Sequence, residues 1–365
     1  MRVQVVDPSA FTPPYDHALC AALARAGADV ELVTSRFAYG EAPRPDGYRR
    51  REHFYRHAPA AAGSRARTVA KLAEHVPDML RYRRLAARAD VVHFQWLDVQ
   101  LLDRMLLPRR PVVLTAHDLL PREPRAGQVR AQRALYHAVD AIVAHSEYGR
   151  AQLVGELGLD SRKVHVIHHG AFEYLTRLPE AGLPAELAAS RLPVVLFFGL
   201  LRPYKGVDVL LRAWREVQGA ELWIVGRPRM DVAPLRALAG PTVRFVSRFV
   251  SDAELATCFR HATVAVLPYS RTERFDQSGV LATALAFCKP TVVTDVGGFG
   301  EVAATGAARL VAPGDAGALA EALTGLLEDS GERERMAAAA AAAAAGPYSW
   351  DEAARRTLAV YGALT

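Results

Sequence analysis

The residue types best suited to chemistry gather between Leu267 and Glu301, in LPYSRTERFDQSGVLATALAFCKPTVVTDVGGFGE. A short apolar run, Val264–Leu267, stops at Pro268, and Ser270–Gln277 then carries both charge signs. From Ser278, small and apolar residues run to Phe287, where Lys289-Pro290 stops the helix they predict. The first amides of a helix lack internal partners and the helix dipole favours negative charge, so Ser278, Gly279 and Val280 make a natural anion site. Thr291–Asp295 reads as a buried strand, and Gly297-Gly298 lets the backbone turn sharply. Two further groups follow strands: FGLLRPYKG at Phe198–Gly206, whose cations Arg202 and Lys205 lead into a helix, and His117-Asp118. The chain has four lysines against 41 arginines, so a lysine at this spot is not background. No Asp-x-Asp pair or helical His pairing of the kind that binds metal occurs.

The elements that must position these groups alternate strand and helix. Val3–Val6, a helix reaching Leu23 and Val30–Val33 open the chain, and Thr12-Pro13-Pro14-Tyr15 stands where a glycine-rich phosphate loop would otherwise lie. Ala38–Arg67 is rich in Pro, Arg and aromatics and reads as an irregular functional loop. Strands follow at Asp90–Phe94 (then Gln95-Trp96), Pro111–Ala116, Ala141–Ala144 and Lys163–Ile167. Ala181–Ser190 reads as a linker, and a second alternating set starts at Leu192. The expected boundaries are a first domain at 1–178, a linker at 179–191, a second domain at 192–346 and a final helix at 347–365. The fold class is therefore α/β with mainly parallel sheets, in which ligands bind beyond the carboxyl ends of the strands. That places Pro268–Gly279 and Asp295–Glu301 at the mouth of one cleft. Nine alanines at Ala337–Ala345 predict a helix with no function of its own.

Composition narrows the class. With 365 residues, 51% hydrophobic and 23% charged, the chain suits two soluble globular domains. Cys20, Cys258 and Cys288 lack metal spacing and read as reduced core residues of a cytoplasmic protein. MRVQVVDPS is already a strand, so no leader is expected, and no apolar run is long enough to span a bilayer. The charge is uneven. Residues 1–178 hold 26 Lys+Arg against 19 Asp+Glu, a balance of +7, and 179–365 hold 19 against 20, a balance of −1. The basic clusters at Arg49–Arg51, Arg65–Lys71 and Arg81–Arg88 read as a solvated surface, as a seat for an anionic acceptor or as a peripheral contact with anionic lipid; no nucleic-acid motif accompanies them.

The pattern PY-x(7)-QSGV-x(2)-TALAFCKPTVVTDVGGFGEV resembles the donor-site segment of the family 4 glycosyltransferases, retaining enzymes of GT-B fold that use nucleotide sugars. The resemblance implies two Rossmann-like domains facing across a cleft, with the last helix crossing back to the first. FG-x(3)-PYKG resembles the family's phosphate loop, so Arg202 and Lys205 would neutralise a diphosphate leaving group together with the amides of Ser278, Gly279 and Val280. By the same resemblance Gly226, Arg248 and Phe249 would line the nucleobase pocket, while Gln277, Thr283 and Glu301 would hold nucleotide and sugar. His117 would touch the transferred sugar, and Tyr15, Asp16 and Trp96 would face the acceptor. No cofactor or metal is implied; the nucleoside-diphosphate sugar is a substrate, and the acceptor is a hydroxyl compound of unassigned class.

One departure stands out. The family carries Glu-x7-Glu in this loop and helix, and counting back from Pro290 puts Phe275 and Thr283 in the two places. Asp276 is expected to supply the missing carboxylate, with Glu273 as its competitor. A silent GT-B nucleotide-sugar-binding subunit and a nucleotide-sugar epimerase or phosphorylase of the same fold are the alternatives. An epimerase would release free sugar without an acceptor.

Overall fold

The computed structural model describes residues 1–59, 64–122, 124–187 and 190–365. The chain divides into two compact units. One comprises Met1–His169, Arg274–Asp276 and Trp350–Thr365, and the other Gly170–Glu273 and Gln277–Ser349. The division between the units thus falls nine residues before the boundary expected after residue 178, and three residues of the loop preceding the helix expected from Ser278 belong to the first unit.

In the first unit the elements run β1 (Arg2–Asp7), α1 (Pro13–Arg25), β2 (Asp29–Ser35), β3 (Arg49–Phe54), α2 (Arg65–Ala86), β4 (Val91–Phe94), α3 (Gln100–Leu106), β5 (Val112–Thr115), α4 (Gln128–Ala138), β6 (Ala141–Ala144), α5 (Glu147–Ala151) and β7 (Val164–Val166). The seven strands form one sheet in the order β3-β2-β1-β4-β5-β6-β7, all neighbours parallel. Inner strands such as β4, β5 and β6 are buried along their whole length, as a sheet covered on both faces requires.

The edge strand β3 lies inside the stretch read above as irregular. Its sequence, RRREHF, has no apolar alternation because four of its six residues are exposed, which removes the period-two signal. Cross-strand ion pairs help to hold it: Arg49 to Asp29 at 2.8 Å and Arg51 to Glu31 at 2.7 Å.

The second unit runs α6 (Glu173–Thr176), β8 (Val194–Phe198), α7 (Val207–Ala213), β9 (Glu221–Val225), α8 (Ala233–Leu238), β10 (Val243–Val246), α9 (Asp252–His261), β11 (Val264–Leu267), α10 (Gly279–Ala286), β12 (Thr291–Thr294), α11 (Phe299–Ala303), β13 (Ala308–Val311), α12 (Ala316–Glu328) and α13 (Ser330–Ala345). Its six parallel strands follow the order β10-β9-β8-β11-β12-β13. β8, β11 and β12 lie where the apolar runs placed them, and the alanine tract forms most of α13. The last helix, α14 (Trp350–Leu364), packs in the first unit against α1. There the Tyr361 hydroxyl meets His93 Nδ1 at 2.6 Å, and Arg25 pairs with Asp351 at 2.7 Å.

Candidate active site

In the second unit the reactive groups are brought together by two glycine-dependent turns. Gly206 has φ +67°, and a Cβ there would sit 1.8 Å from the Pro268 carbonyl oxygen. Only glycine therefore lets the turn Pro203–Lys205 press against the end of β11. Gly226 closes in the same way on Gly199, whose oxygen would lie 1.8 Å from an added Cβ.

The result is a chain of polar contacts. Lys205, 7% exposed, donates from Nζ to the Tyr269 hydroxyl, which lies 3.0 Å from Ser278 Oγ. Ser278 caps α10, its Oγ accepting from the Val280 amide at 3.2 Å. Gln277 holds the approach to the helix: its Oε1 accepts from the Ser278 amide at 3.1 Å and its Nε2 donates to the Gly298 carbonyl at 3.3 Å. The helix start and the Gly297-Gly298 turn are thus stitched side by side. Tyr269 links lysine to helix cap and was not singled out from sequence; the adjoining PY pair was its only trace.

The other residues expected here differ in availability. Arg202 is half-buried at the start of the Pro203–Lys205 turn, and Glu301 is half-buried on α11. Arg248 sits on the surface, paired with Glu186 at 3.1 Å and Glu254 at 2.8 Å, beside exposed Phe249. Thr283 is buried and donates to the Gly279 carbonyl at 2.8 Å, so its hydroxyl is spent inside α10.

Asp276 lies in the first unit and is 0% exposed. Its carboxylate accepts from the His145 amide at 2.7 Å and from the Ser146 hydroxyl. A Cβ at Gly149 would lie 2.5 Å from Asp276 Oδ2, so the carboxylate fills the space that this glycine leaves. The neighbouring residues form a strap on the same unit. Phe275, 1% exposed, makes an antiparallel bridge with Asp118; Arg274 accepts from the Leu119 amide at 3.1 Å and donates to the Pro121 carbonyl at 3.0 Å. The expectation of a sugar-facing Asp276 thus meets a carboxylate committed to the backbone and hydroxyl at the start of α5.

His117 stands at the centre of an aromatic cluster in the first unit. Its ring stacks on Trp96 at 4.9 Å and meets the edge of Tyr15 at 4.6 Å. Tyr15 also packs edge-to-face on His169 at 5.0 Å and on Trp350 at 4.9 Å. Burial pushes His117 well below the ordinary histidine range, with His145, His169 and His93 adding to the effect, and burial likewise lowers His145 to about 3. Both are neutral at pH 7.

Their tautomers follow from the partners. His145 donates from Nδ1 to the Ile167 carbonyl at 2.9 Å, so its Nε2 is an acceptor. His117 Nδ1 lies 3.4 Å from that nitrogen, and its Nε2 is 3.0 Å from the Gln95 amide. Gln95 is 0% exposed, and the far atom of its amide has no hydrogen-bond partner among the described residues. Either orientation of the amide leaves one buried polar atom for a ligand.

That amide lines a cavity of about 150 Å³ with Trp96, His117, Gln100, Gln128 and Gln132. Gln128 and Gln132 lie four residues apart on α4, a spacing that puts them on one face. No lysine or arginine lines this cavity. Of the residues expected on the acceptor side, Trp96 lines it, whereas Tyr15 and Asp16 are buried. Asp16 faces Asp7, and burial raises both carboxyls; the Asp7 charge raises Asp16 further, so Asp16 holds the proton that links the pair. Asp7 in turn accepts from the amides of Ser9, Phe11 and Thr12 and shapes the proline-rich loop.

Among the described residues no group of three His, Cys, Asp or Glu side chains could hold a metal ion. Known proteins share both units. The profile described as Glycosyltransferase Family 4 matches residues 15–171, and that described as Glycosyl transferases group 1 matches 192–329. A D-inositol 3-phosphate glycosyltransferase of Nocardioides sp. is 33% identical over 65% of this chain and 56% of its own length. D-inositol 3-phosphate glycosyltransferase 1 of Catenulispora acidiphila is 30% identical over 74% of this chain and 72% of its own. The chain thus spans between about half and three quarters of these relatives. The solved structure of Anabaena Alr3699/HepE in complex with UDP-glucose superposes with a TM-score of 0.75 at 18% identity, covering 100% of both chains. Paired parallel sheets, the PYKG turn against α10 and these matches agree: the chain belongs to the family 4 glycosyltransferases, of GT-B fold.

Proposed function

We propose that this chain moves a sugar from a nucleoside-diphosphate sugar to a hydroxyl acceptor, with retention at the anomeric carbon and without a divalent metal. The observation that carries this reading is the line from Lys205 through Tyr269 to Ser278 at the start of α10. It presents an ammonium, two hydroxyls and the Gly279 amide to one anion, with Arg202 nearby in sequence as a second cation; the Ser278 and Val280 amides, expected to join them, already donate to Gln277 Oε1 and Ser278 Oγ. The relatives named as glycosyltransferases support sugar transfer, and the neighbour solved with UDP-glucose supports a nucleotide-sugar donor. In the step, the bond between the anomeric carbon and the diphosphate oxygen breaks as the acceptor oxygen bonds to the same face. The acceptor proton passes to the leaving phosphate, and Lys205, Arg202 and the Gly279 amide stabilise the charge that develops there.

A hydroxyl compound would be held in the first unit's cavity, where amides, neutral histidine and the carboxyls of Asp98 and Asp118 can recognise hydroxyls. The three unpaired cysteines support a reducing, cytoplasmic setting. The test is turnover of a panel of nucleotide sugars with polyol and phosphorylated polyol acceptors, with and without EDTA, the anomer of the product being read by NMR. An inverted product, or activity lost to EDTA and restored by magnesium or manganese, overturns the respective part.

A second reading, a binding subunit without catalysis, is favoured by the commitment of Asp276 and Thr283 to internal bonds. It predicts nucleotide-sugar binding in a thermal-shift assay with no transfer to any acceptor.

A further inference from the structure

The first unit holds a second cavity, of about 330 Å³. Its walls come from the loops after β1 and β2, from the end of β3 and from α2, with Phe11, Phe37, Tyr39, Tyr55 and Leu72 among the lining side chains. Phe11 and Leu72, 54% and 59% exposed, edge its mouth. Apolar and aromatic side chains around a concavity of this size, with a few polar groups among them, are the usual form of a small-molecule site. A cavity of about 150 Å³ holds one benzene ring, so this one suits a body of two fused rings.

Tyr55 gives this cavity a polar group of fixed direction. Its backbone is left-handed, with φ +52°, a conformation unfavourable for tyrosine, and the Asp78 carboxylate holds it by accepting from the Tyr55 amide at 2.7 Å. The Tyr55 hydroxyl meets His75 Nδ1 at 2.8 Å, and His75 Nε2 meets Asp103 Oδ1 at 2.7 Å. Asp103 also accepts from the Val99 amide at 2.8 Å, and all three side chains are buried. With a carboxylate at Asp103, Nε2 carries the imidazole proton and Nδ1 accepts from the phenol. The Tyr55 oxygen then has only lone pairs to offer the cavity. It can take a ligand O–H and has no proton to give an ionised carboxylate.

The two cations of the wall are engaged within the protein. Lys71 Nζ lies 4.6 Å from the centre of the Tyr55 ring and donates to Ser9 Oγ at 2.8 Å, and Ser9 in turn donates to Asp98 Oδ2 at 3.0 Å. Arg67 donates to the Pro59 carbonyl at 2.6 Å and to the Arg36 carbonyl at 3.4 Å. Two of the cations from which the sequence suggested a seat for an anion thus serve internal bonds, while their charge disfavours a ligand cation.

We propose that this cavity binds a neutral ring compound carrying a hydroxyl group, a phenol or an alicyclic alcohol of about two fused rings. Its O–H donates to the Tyr55 oxygen, and its rings lie among Phe11, Phe37 and Leu72. Asp98 lines both this cavity and the one that holds Gln95 and Gln132, so the two adjoin and a further hydroxylated part of the same compound would reach the glutamines. The compound's role as acceptor rests on the proposed sugar transfer; its binding does not.

Binding is therefore measured on the full chain without a nucleotide sugar, by calorimetry with 2-naphthol, 2-naphthoate and 2-methoxynaphthalene, which share two rings and differ in the polar group. 2-Naphthol should bind at least about tenfold more tightly than either of the others. In Tyr55→Phe its advantage over 2-methoxynaphthalene should fall to about twofold or less, with 2-methoxynaphthalene itself bound as before. Leu72→Glu, at an exposed position, should weaken 2-naphthol about tenfold with an unchanged melting temperature. Equal or tighter binding of 2-naphthoate, an advantage of the hydroxyl that survives Tyr55→Phe, full affinity in Leu72→Glu, or no binding of 2-naphthol would each overturn the proposal. 2-Naphthol bound as expected by a chain that transfers sugar to no acceptor would support the site and count against the transfer.

Discussion

The two units treat charge in opposite ways. The second unit places the Lys205 ammonium, 7% exposed, against two hydroxyls and a helix cap. The first unit holds several of its buried titratable groups neutral: His117 and His145 are unprotonated, and Asp16 retains its proton against Asp7. A cation is thus buried in one unit, while the aromatic cluster of the other is built around uncharged imidazoles. A low-polarity surrounding strengthens both effects.

Lys205→Met tests the charged half most severely. It keeps the side-chain volume and leaves the Tyr269–Ser278 contact in place, so stability should change by less than about 1 kcal/mol. Turnover should fall by about 100- to 1000-fold, the usual loss when one donor to developing charge is removed. Steady-state kinetics with thermal melting separates the two, and wild-type turnover would break the comparison.

Asp276→Ala tests where the strap's carboxylate belongs. Removing it leaves the buried His145 amide and Ser146 hydroxyl without their acceptor, at about 1–3 kcal/mol for each group. Chemical denaturation should therefore show a loss of about 2–4 kcal/mol. Glu273→Ala should change stability by less than about 0.5 kcal/mol. An Asp276→Ala protein of full stability whose only defect is in transfer would return this carboxylate to the sugar.

Gln132→Ala addresses the glutamine-lined cavity. Loss of one hydrogen-bonding amide should raise the acceptor KM about tenfold with nucleotide affinity unchanged. A matching loss of nucleotide affinity would mean that the cavity serves the donor.

The smallest effect belongs to Asp16→Asn. A carboxyl whose folded pKa is raised favours the fold fully below its unfolded value, and that advantage is lost as pH climbs toward the folded value. Unfolding free energy of the wild-type protein should therefore decline from about pH 4 upward more steeply than that of Asp16→Asn. The gap should widen steadily up to pH 8, read from urea titrations. Parallel curves would show that the pair is not sharing a proton.

The second unit was largely legible from sequence because its chemistry is local. Strand, glycine, lysine and helix cap follow one another within short stretches, and each has a type requirement, as Gly206 does against Pro268. The glutamine-lined cavity was not legible, because Gln95, Gln100 and the Gln128–Gln132 pair come from three separate segments and glutamine has no motif of its own. His117 was found by its place after a strand, but its neutrality depends on His145 and on burial that spacing does not report. Strand β3 escaped because an edge strand bonded by arginines shows no hydrophobic period. The Asp276 expectation followed from its nearness to Ser278 along the chain; adjacent residues can nevertheless belong to different compact units.

The placement of α14 has a consequence for synthesis. Tyr361 meets His93, and Trp350 packs on Tyr15, although residues 170–349 separate the last helix from the rest of its unit. At about 5–20 residues per second, a ribosome needs roughly 10–40 s to make that intervening stretch. Throughout this interval the nascent first sheet has emerged with one flank of the Tyr15 and His93 rings still bare. The amino-terminal half is therefore the first to be made and the last to be finished, and a holding chaperone would have its longest opportunity on the half that is translated first.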